Sequence, residues 1–255
     1  MRRIRLAAVA GAFALTAGLS AAADYGTVKG QVKLAKPAEP PAVNITTDPA
    51  HCLSKGPLKD ETVVTDKAGG LRYVIVYLRP DNEKKGETFP RDKVHPDLKE
   101  AKPGAFAIDQ PCCQFLPRVF AVREGTTLDV KNTSPVSHNV NYKSDPESFN
   151  ETLPPGKTKT TKPLKADNAL ITFECNIHPW MKGMGMAFDH PYFAVTDAAG
   201  NFTLDKVPAG KWRLVYRHEK GYHKGKDGRF GFPVEVKAGD NPLPPLEFEF
   251  PVVAK

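Results

Sequence analysis

The chain has no long apolar run and few aromatic residues, and these shortages exclude several classes of protein. Only 9% of its 255 residues are aromatic, and the mean hydropathy is -0.40. The apolar run from Leu6 to Leu19 is shorter than the ~20 residues that span a bilayer as a helix, so we expect no stable membrane insertion. The motif Cys-x-x-Cys-His is missing, which argues against covalent c-type haem. No long segment has a helical period, and we predict an all-β chain.

The first 23 residues have the pattern of a secretory signal peptide. Arg2, Arg3 and Arg5 precede the apolar run, and small residues follow it up to Ala23. This order of basic, apolar and small segments predicts export with cleavage after Ala23. The expected location is therefore periplasmic or secreted, where disulfides can form.

Little net charge remains once this segment is set aside. Three of the 36 basic residues and none of the 29 acidic residues precede residue 24, so the formal charge falls from +7 to +4. Basic and acidic side chains are interspersed along the rest of the chain, which is typical of a solvated surface. The composition therefore gives no reason to expect a nucleic-acid partner.

Proline and glycine are abundant and separate many short segments of alternating polarity. The 24 prolines and 20 glycines occur in a pattern that is typical of all-β domains. Residues 25 to 34 alternate as a strand, and the apolar run 73 to 78 predicts a buried strand. Residues 81 to 104 are charged and contain proline, so we predict a loop or linker there.

Three possible ligands for a soft metal lie within seven residues of one another. Cys175, His178 and Met181 follow directly after an apolar strand-like segment. Thiolate and thioether ligands select copper, and two histidines, one cysteine and a distant methionine define blue-copper sites. His138 follows the alternating strand around Val130 and is the candidate for the second imidazole.

The order His-Asn-Val at 138–140 and Cys-x-x-His-Pro-Trp-Met at 175–181 resembles the cupredoxin family, most closely its amicyanin/plastocyanin-like members with a short ligand loop. The resemblance covers roughly residues 105 to 188 and implies a cupredoxin Greek-key β-sandwich with one type 1 copper ion. The residues that it implies are the equatorial ligands His138, Cys175 and His178, the axial ligand Met181, and Asn139, which would hydrogen-bond the cysteine sulfur and link the two ligand loops.

Electron transfer is the function that this resemblance implies. The sequence shows no substrate-sized chemistry, and we predict an electron-transfer carrier, not an enzyme. In the family, the second histidine carries electrons through an exposed ring edge. We therefore expect redox partner proteins to dock near His178, on a surface that includes Pro179 and Trp180. A copper carrier, storage protein or sensor without redox traffic remains the main alternative.

Other chemistries explain the same residues less well. A Cys–His hydrolase would use Cys175 as nucleophile, but Met181 would then have no role. A zinc site would normally contain more cysteine, histidine or carboxylate ligands and no thioether. The remaining histidines form no obvious cluster, and we expect each to be a surface or structural residue: His51, His95, His190, His218 and His223. Of these, His190 lies nearest to the ligand loop in sequence.

The region after the ligand loop has a different character. Strand-like segments at 192–204 and 207–216 are joined by glycine-containing turns. Together they resemble the transthyretin-like, carboxypeptidase-regulatory-type β-sandwich module. The two opening strands of that module would match residues 26 to 34 and 73 to 78, far earlier in the chain.

We therefore predict a second, smaller sandwich that is split by an inserted copper domain. Its two halves would be residues 24–80 and 189–255, with 81–104 as linker and 105–188 as the cupredoxin domain. A serial arrangement of the two domains is the alternative. The split arrangement requires strand 73–78 to pair within the sheet that contains residues 193 to 216.

Three of the four cysteines remain once Cys175 is taken as a ligand. Adjacent Cys112 and Cys113 are poorly placed to bridge each other, because a disulfide requires a particular spacing of the α-carbons. We predict a disulfide from Cys52 to one of them. Cys113 is preferred because it would share a strand face with Phe115, but the sequence leaves the choice open.

Overall fold

The structure is a computed structural model that describes residues 25–100, 103–145 and 147–250. The signal peptide and cleavage site predicted from residues 1 to 23 lie outside this part of the chain. Within these ranges, none of the helices has the length and apolar character needed to cross a membrane.

Short strands account for nearly all of the regular structure, which confirms the all-β class. The strands are β1 (Tyr25–Lys33), β2 (Ile75–Pro80), β3 (Ala105–Asp109), β4 (Val119–Arg123), β5 (Thr127–Lys131), β6 (His138–Lys143), β7 (Ser148–Leu153), β8 (Thr158–Thr160), β9 (Ile171–Glu174), β10 (Lys182–Phe188), β11 (Phe193–Val195), β12 (Asn201–Pro208), β13 (Gly210–His218), β14 (Gly221–Tyr222), β15 (Phe232–Val236), β16 (Gly239–Pro242) and β17 (Leu246–Glu247). The helices are the single turns α1 (Pro49–Cys52) and α2 (Pro96–Lys99), with 3-10 turns at Arg91–Lys93 and Gly225–Phe230.

The strands from β3 to β10 form one pair of sheets, which we call the first sandwich. One sheet has the order β4-β10-β9-β6-β7 and the other the order β3-β5-β8. Two pairings are parallel, β3 with β5 and β4 with β10, and the others are antiparallel. Apolar side chains from both sheets, such as Leu128, Val140 and Phe173, share one core. These strands therefore form a two-sheet sandwich over the range to which the resemblance was assigned.

The remaining strands form a second pair of sheets, which we call the second sandwich. One sheet has the order β12-β1-β16, with β17 also paired to β1, and the other has the order β11-β2-β13-β14, with β15 paired to β13. Strand β2 thus pairs with β11 and β13, which come after the first sandwich in sequence. This is the pairing that the split arrangement requires.

Strand β2 is buried on both faces, which explains why residues 73–78 are continuously apolar. Val76 faces the core of the second sandwich, whereas Ile75 packs in a separate cluster with Met184 and Met186 of β10. A strand with two buried faces has no polar side and loses its alternation. The second cluster also joins the two sandwiches through an apolar contact.

Part of the chain that the sequence assigned to the second sandwich packs elsewhere. Ile45, Cys52 and Leu58 lie against the core of the first sandwich, although the predicted first half of the second sandwich was 24–80. A covalent bond holds this segment against the first sandwich.

That bond is a disulfide between Cys52 and Cys113, as preferred from the sequence. The Cα atoms are 5.3 Å apart, within the usual range for a disulfide. The reason given for the preference was wrong, because Cys113 does not lie in a strand. It occupies a turn with a positive φ of 55°. Cys112 is left as a free, half-buried thiol.

Candidate metal centre

Two neighbouring strands bring His138 and Cys175 to the same end of a sheet. His138 is the first residue of β6, and Cys175 directly follows the last residue of β9. The two strands pair antiparallel, with Asn141 opposite Glu174. Because neighbouring antiparallel strands run in opposite directions, the start of β6 lies beside the end of β9. The loop after Cys175 then carries His178 over this end.

His178 contacts both His138 and Cys175, and one ligand atom of each of the three residues lies within 4.8 Å of the others. The Nδ1 atoms of His138 and His178 are 3.0 Å apart, and the Sγ atom of Cys175 lies 3.6 Å from Nδ1 of His178. His138 and His178 are 0% exposed and Cys175 is 1% exposed. A metal with bonds of about 2 Å to nitrogen and about 2.3 Å to sulfur fits between ligand atoms at these separations.

Backbone hydrogen bonds close the ligand loop tightly. The N–H of Met181 donates to the carbonyl of His178 at 2.8 Å, and the N–H of Cys175 donates to the carbonyl of Met181 at 3.1 Å. The side chain of Met181 is buried in the same apolar cluster as Cys175. The loop therefore presents its polar atoms to one another and its sulfur-bearing side chains to the interior.

Asn139 links the two ligand loops through its backbone and its side chain. Its N–H donates to the sulfur of Cys175 at 3.2 Å, and its side-chain carbonyl accepts from the N–H of Asn176 at 3.1 Å. Its amide group donates to Asn150 at 2.7 Å. A hydrogen bond to the sulfur stabilises the thiolate, which is the form that binds a metal.

Burial keeps both imidazoles neutral at neutral pH. Desolvation, with a smaller effect from neighbouring His178, lowers the pKa of His138 to about 4. Desolvation also lowers the pKa of His178, although Asp48 opposes this shift. The Nε2 atom of His138 is buried and has no hydrogen-bond partner among the described residues. Neutral rings with available lone pairs, beside a buried cysteine sulfur, are ligand types that suit copper.

Asp48 contacts the centre and was missed by the sequence analysis. Its carboxylate lies 3.0 Å from the Nε2 atom of His178. The expectation that the ring edge of His178 is exposed was therefore wrong, because the segment around α1 covers it. No local signal marks Asp48, which lies 130 positions away in sequence. The disulfide of Cys52, four residues further on, is the feature that could have indicated it.

Pro179 and Trp180 are among the loop residues that reach the surface, together with Asn176 and Ile177. Pro179 is exposed and Trp180 is half-buried, with its ring centroid 5.3 Å from that of His178. The indole N–H of Trp180 donates to the carbonyl of Cys113 at 3.2 Å. Trp180 also lines a cavity of about 340 Å³ together with Arg118. The loop thus reaches the surface beside His178, not through it.

The other histidines serve as structural acceptors or lie beside the centre. His190 is buried, its Nδ1 accepts from the N–H of Tyr192 at 3.1 Å, and burial lowers its pKa to about 3. His95, His218 and His223 likewise accept backbone N–H groups. His51 differs, because a positive charge on its ring would lower the pKa of both His138 and His178. It therefore lies near the centre, which sequence spacing did not indicate.

Comparisons with known proteins find similarity at the level of structure alone. No family model matches the chain, and no curated protein matches it. Among solved structures, a purple cupredoxin from Nitrosopumilus maritimus is similar at 20% identity, over 32% of this chain and 97% of that chain, with a TM-score of 0.28.

Two further structures are similar at comparable levels. A copper-containing nitrite reductase from Thermus scotoductus SA-01 is 21% identical over 41% of this chain and 28% of that one, with a TM-score of 0.31. A reduced amicyanin mutant is 16% identical over 44% of this chain and 98% of that one, with a TM-score of 0.29. The three TM-scores are 0.31 or lower, and the fold described above rests on the strand pairing itself.

Proposed function

We propose that this protein holds one copper ion in a type 1 site and acts as an exported electron-transfer carrier. The observation that supports the proposal is the buried contact between Nδ1 of His138, Nδ1 of His178 and Sγ of Cys175. Two imidazoles and a thiolate, with a methionine in the same loop, match the ligand types of blue-copper centres.

In this proposal, each residue of the centre has a defined task. Copper supplies one-electron redox chemistry when bound. His138, Cys175 and His178 would hold it in the equatorial plane, with Met181 as the weak axial ligand. The N–H of Asn139 would share the sulfur's charge and so adjust the reduction potential. Because the ligands sit on paired strands and a closed loop, they would move little between oxidation states.

The electron's route to a partner would pass beside His178. Asp48 covers the ring of His178, whereas Pro179 and Trp180 reach the surface. We therefore place the docking surface for a redox partner protein on this part of the loop. The second sandwich is proposed to be a transthyretin-like module, because its split strands pair as that resemblance requires. The disulfide supports a periplasmic or secreted location.

A non-redox copper carrier is the second candidate, and one observation favours it. The ring of His178 is 0% exposed and is bonded to Asp48, so the usual entry for an electron is closed. A protein that stores or carries copper would benefit from a covered ligand. The two candidates differ in whether bound copper exchanges electrons rapidly.

One titration series separates these readings. Cu(II) is added to the wild type, to Cys175→Ser and to the matched control Cys112→Ser, which changes the free thiol outside the centre. We expect intense visible copper–thiolate absorption that saturates at one equivalent in the wild type and in Cys112→Ser and is lost in Cys175→Ser. Colourless binding would favour carriage, and no binding would refute both candidates.

Voltammetry of the copper-loaded protein then tests electron transfer directly. We expect a reversible one-electron wave and fast electron exchange between oxidised and reduced protein. A coloured copper site that exchanges electrons slowly would contradict the electron-transfer function and would support copper storage or sensing.

A further inference from the structure

A second group of metal-ligating atoms lies beside the candidate centre. The sulfurs of Cys52 and Cys113 and a ring nitrogen of His178 all lie within 4.8 Å of one another. The three residues are 1%, 0% and 0% exposed. In the oxidised chain the two sulfurs are bonded to each other and are poor ligands, because it is the thiolate that binds a metal. His178 belongs to this group and to the one with His138 and Cys175.

We propose that Cys52 and Cys113 form a second metal site that opens when their disulfide is reduced. Reduction by a dithiol creates two thiol groups, and these, as thiolates, hold Cu(I) together with His178. Soft thiolate ligands select Cu(I) over harder ions. The inference goes beyond the proposed electron transfer and does not depend on it, since Cys175 takes no part.

The chemistry balances with the dithiol as the only reductant. The two S–H groups of the dithiol become a disulfide, giving up two electrons and two protons. The bond between Cys52 and Cys113 breaks and takes up both, forming two thiols. Binding of Cu(I) then releases the two thiol protons to solvent, and the copper itself is neither oxidised nor reduced.

The positions of the two cysteines allow this change without unfolding the sheets. Two sulfurs bound to one metal at ~2.3 Å, with a third ligand beside them, lie roughly 4 Å apart. The Cα atoms are 5.3 Å apart, so rotation of the side chains can supply that separation. Cys52 ends the single turn α1 and Cys113 lies in a turn, and neither is held by a strand ladder.

The same bond holds the segment that covers His178. The N–H of Cys52 donates to the carbonyl of Asp48 at 2.9 Å, and the carboxylate of Asp48 bonds His178. Reduction therefore loosens the element that closes the centre at the same time as it creates the new ligands. Because His178 lies in both groups, Cu(I) held by the thiolate pair is adjacent to Cys175.

The test measures Cu(I) binding in a chain whose other two cysteines are replaced. The variant Cys112→Ser/Cys175→Ser removes the free thiol and the sulfur of the first centre. It is reduced with a dithiol, freed of reductant under nitrogen, and titrated with Cu(I) against a chromophoric Cu(I) chelator. We expect one Cu(I) per chain in the reduced form and none in the oxidised form. If this variant fails to bind Cu(I), the copper–thiolate absorption of the oxidised wild type is still expected. The proposed Cu(I) site and the proposed type 1 site can therefore fail independently.

Matched histidine variants identify the third ligand. In the same background, His178→Ala should weaken Cu(I) binding by at least ~10-fold, whereas His95→Ala, outside both groups, should leave it unchanged. His138→Ala should have a smaller effect than His178→Ala. Circular dichroism checks that each reduced variant keeps its β-sheet signal.

Four results would overturn the proposal. Two are the absence of Cu(I) uptake after reduction and the loss of the β-sheet signal on reduction. The other two are Cu(I) uptake equal to that of the reduced variant, either when Cys52 and Cys113 are also replaced by serine or in the oxidised chain. An equal effect of His138→Ala and His178→Ala would place the metal at the first centre and also contradict it.

Discussion

At the scale of single residues, the two nitrogens of His178 have different partners. Nδ1 faces His138 and Cys175, and Nε2 faces the carboxylate of Asp48. A carboxylate only accepts hydrogen bonds, so Nε2 must carry the proton and Nδ1 keeps its lone pair. Asp48 therefore fixes the tautomer that a metal at Nδ1 requires.

Asp48→Ala should weaken Cu(II) binding and raise the reduction potential. Removing a partner of a metal-ligating histidine typically costs 10- to 100-fold in affinity, and we expect about 10-fold here because Asp48 is partly exposed. The potential rises because a nearby negative charge favours Cu(II), the more positive state. Chelator competition and voltammetry measure the two effects.

Two further variants make this prediction specific. Asp48→Asn keeps an acceptor without the charge, so it should raise the potential with a smaller loss of affinity. Asp240→Ala removes a carboxylate that pairs with exposed Lys29 and should change neither quantity. An unchanged potential in Asp48→Ala would show that the carboxylate does not act on the centre.

Buried His190 should make the protein less stable as the pH falls. Burial lowers its pKa to about 3, whereas in the unfolded chain the pKa is about 6.5. Below pH ~6.5 the unfolded state binds a proton at this residue that the folded state does not bind, so the free energy of unfolding decreases as the pH falls. The loss is about 1.4 kcal/mol per pH unit until the folded pKa is reached.

The measurement is the slope of unfolding free energy against pH. His190→Gln should reduce that slope by about 1.4 kcal/mol per pH unit in urea titrations between about pH 6 and about pH 4.5. The comparison of slopes does not depend on how much the substitution changes stability at neutral pH. The same slope in both proteins would mean that His190 is protonated in the folded state.

At the scale of elements, β10 is where the ligand loop joins the two sandwiches. It begins directly after Met181 and is buried along nearly its whole length. Its glycines leave room for aromatic rings of the first sandwich. A Cβ at Gly183 would lie 2.0 Å from the ring of Phe173, and one at Gly185 would lie 2.3 Å from the ring of Phe120.

Gly183→Ala should destabilise the protein by about 3 kcal/mol, at the upper end of the cost of overpacking. The ring of Phe173 is fully buried and the carbonyl of Arg118 blocks the other side at 2.8 Å, so no neighbour can yield easily. Gly104→Ala is the matched control, because a Cβ there meets nothing within 4 Å. Urea titration measures the free energy of unfolding of both variants. Equal values would contradict the packing described for β10.

That Cys175, His178 and His138 bind a metal stays a prediction, but the contacts within this group were predictable because their signal is local. Cys175 and His178 lie on one short segment, and the strand before it positions them. The position of His138 beside them was predictable because an alternating segment runs into the loop before it. Asp48 was not, because its contact depends on a disulfide whose geometry is set by the turn at Cys113. Local patterns indicate a ligand loop, whereas a contact across 130 positions requires the tertiary structure.

At the scale of the whole molecule, the two sandwiches are joined by an apolar cluster and an ion pair. Ile75 of β2 packs with Met184 and Met186 of β10 in the cluster. Beside it, the side chain of Arg118 is only 7% exposed and pairs with Glu219 of the second sandwich. The pairing of β2 with β11 and β13 could be expected from the sequence, whereas the ion pair could not, and the division into domains stays a prediction.

Glu219→Ala should lower the unfolding free energy by about 3 kcal/mol. Removing one partner of a buried pair leaves an unpaired charge, which costs about 3–5 kcal/mol. The lower value is expected because the side chain of Glu219 is 27% exposed. Asp240→Ala breaks an exposed pair and should cost less than ~1 kcal/mol. Chemical denaturation measures both, and equal effects of the two substitutions would show that the Arg118 pair does not hold the sandwiches together.

The proposed function requires that two imidazoles and two sulfurs hold one copper ion, one imidazole at the start of β6 and the other three groups on the loop after β9. The most direct test is a crystal of the copper-loaded, oxidised protein, with diffraction data collected on both sides of the copper absorption edge. We predict one anomalous peak at bonding distance from Nδ1 of His138, Nδ1 of His178 and Sγ of Cys175, with Met181 nearby. A peak elsewhere, or none between these atoms, would contradict it.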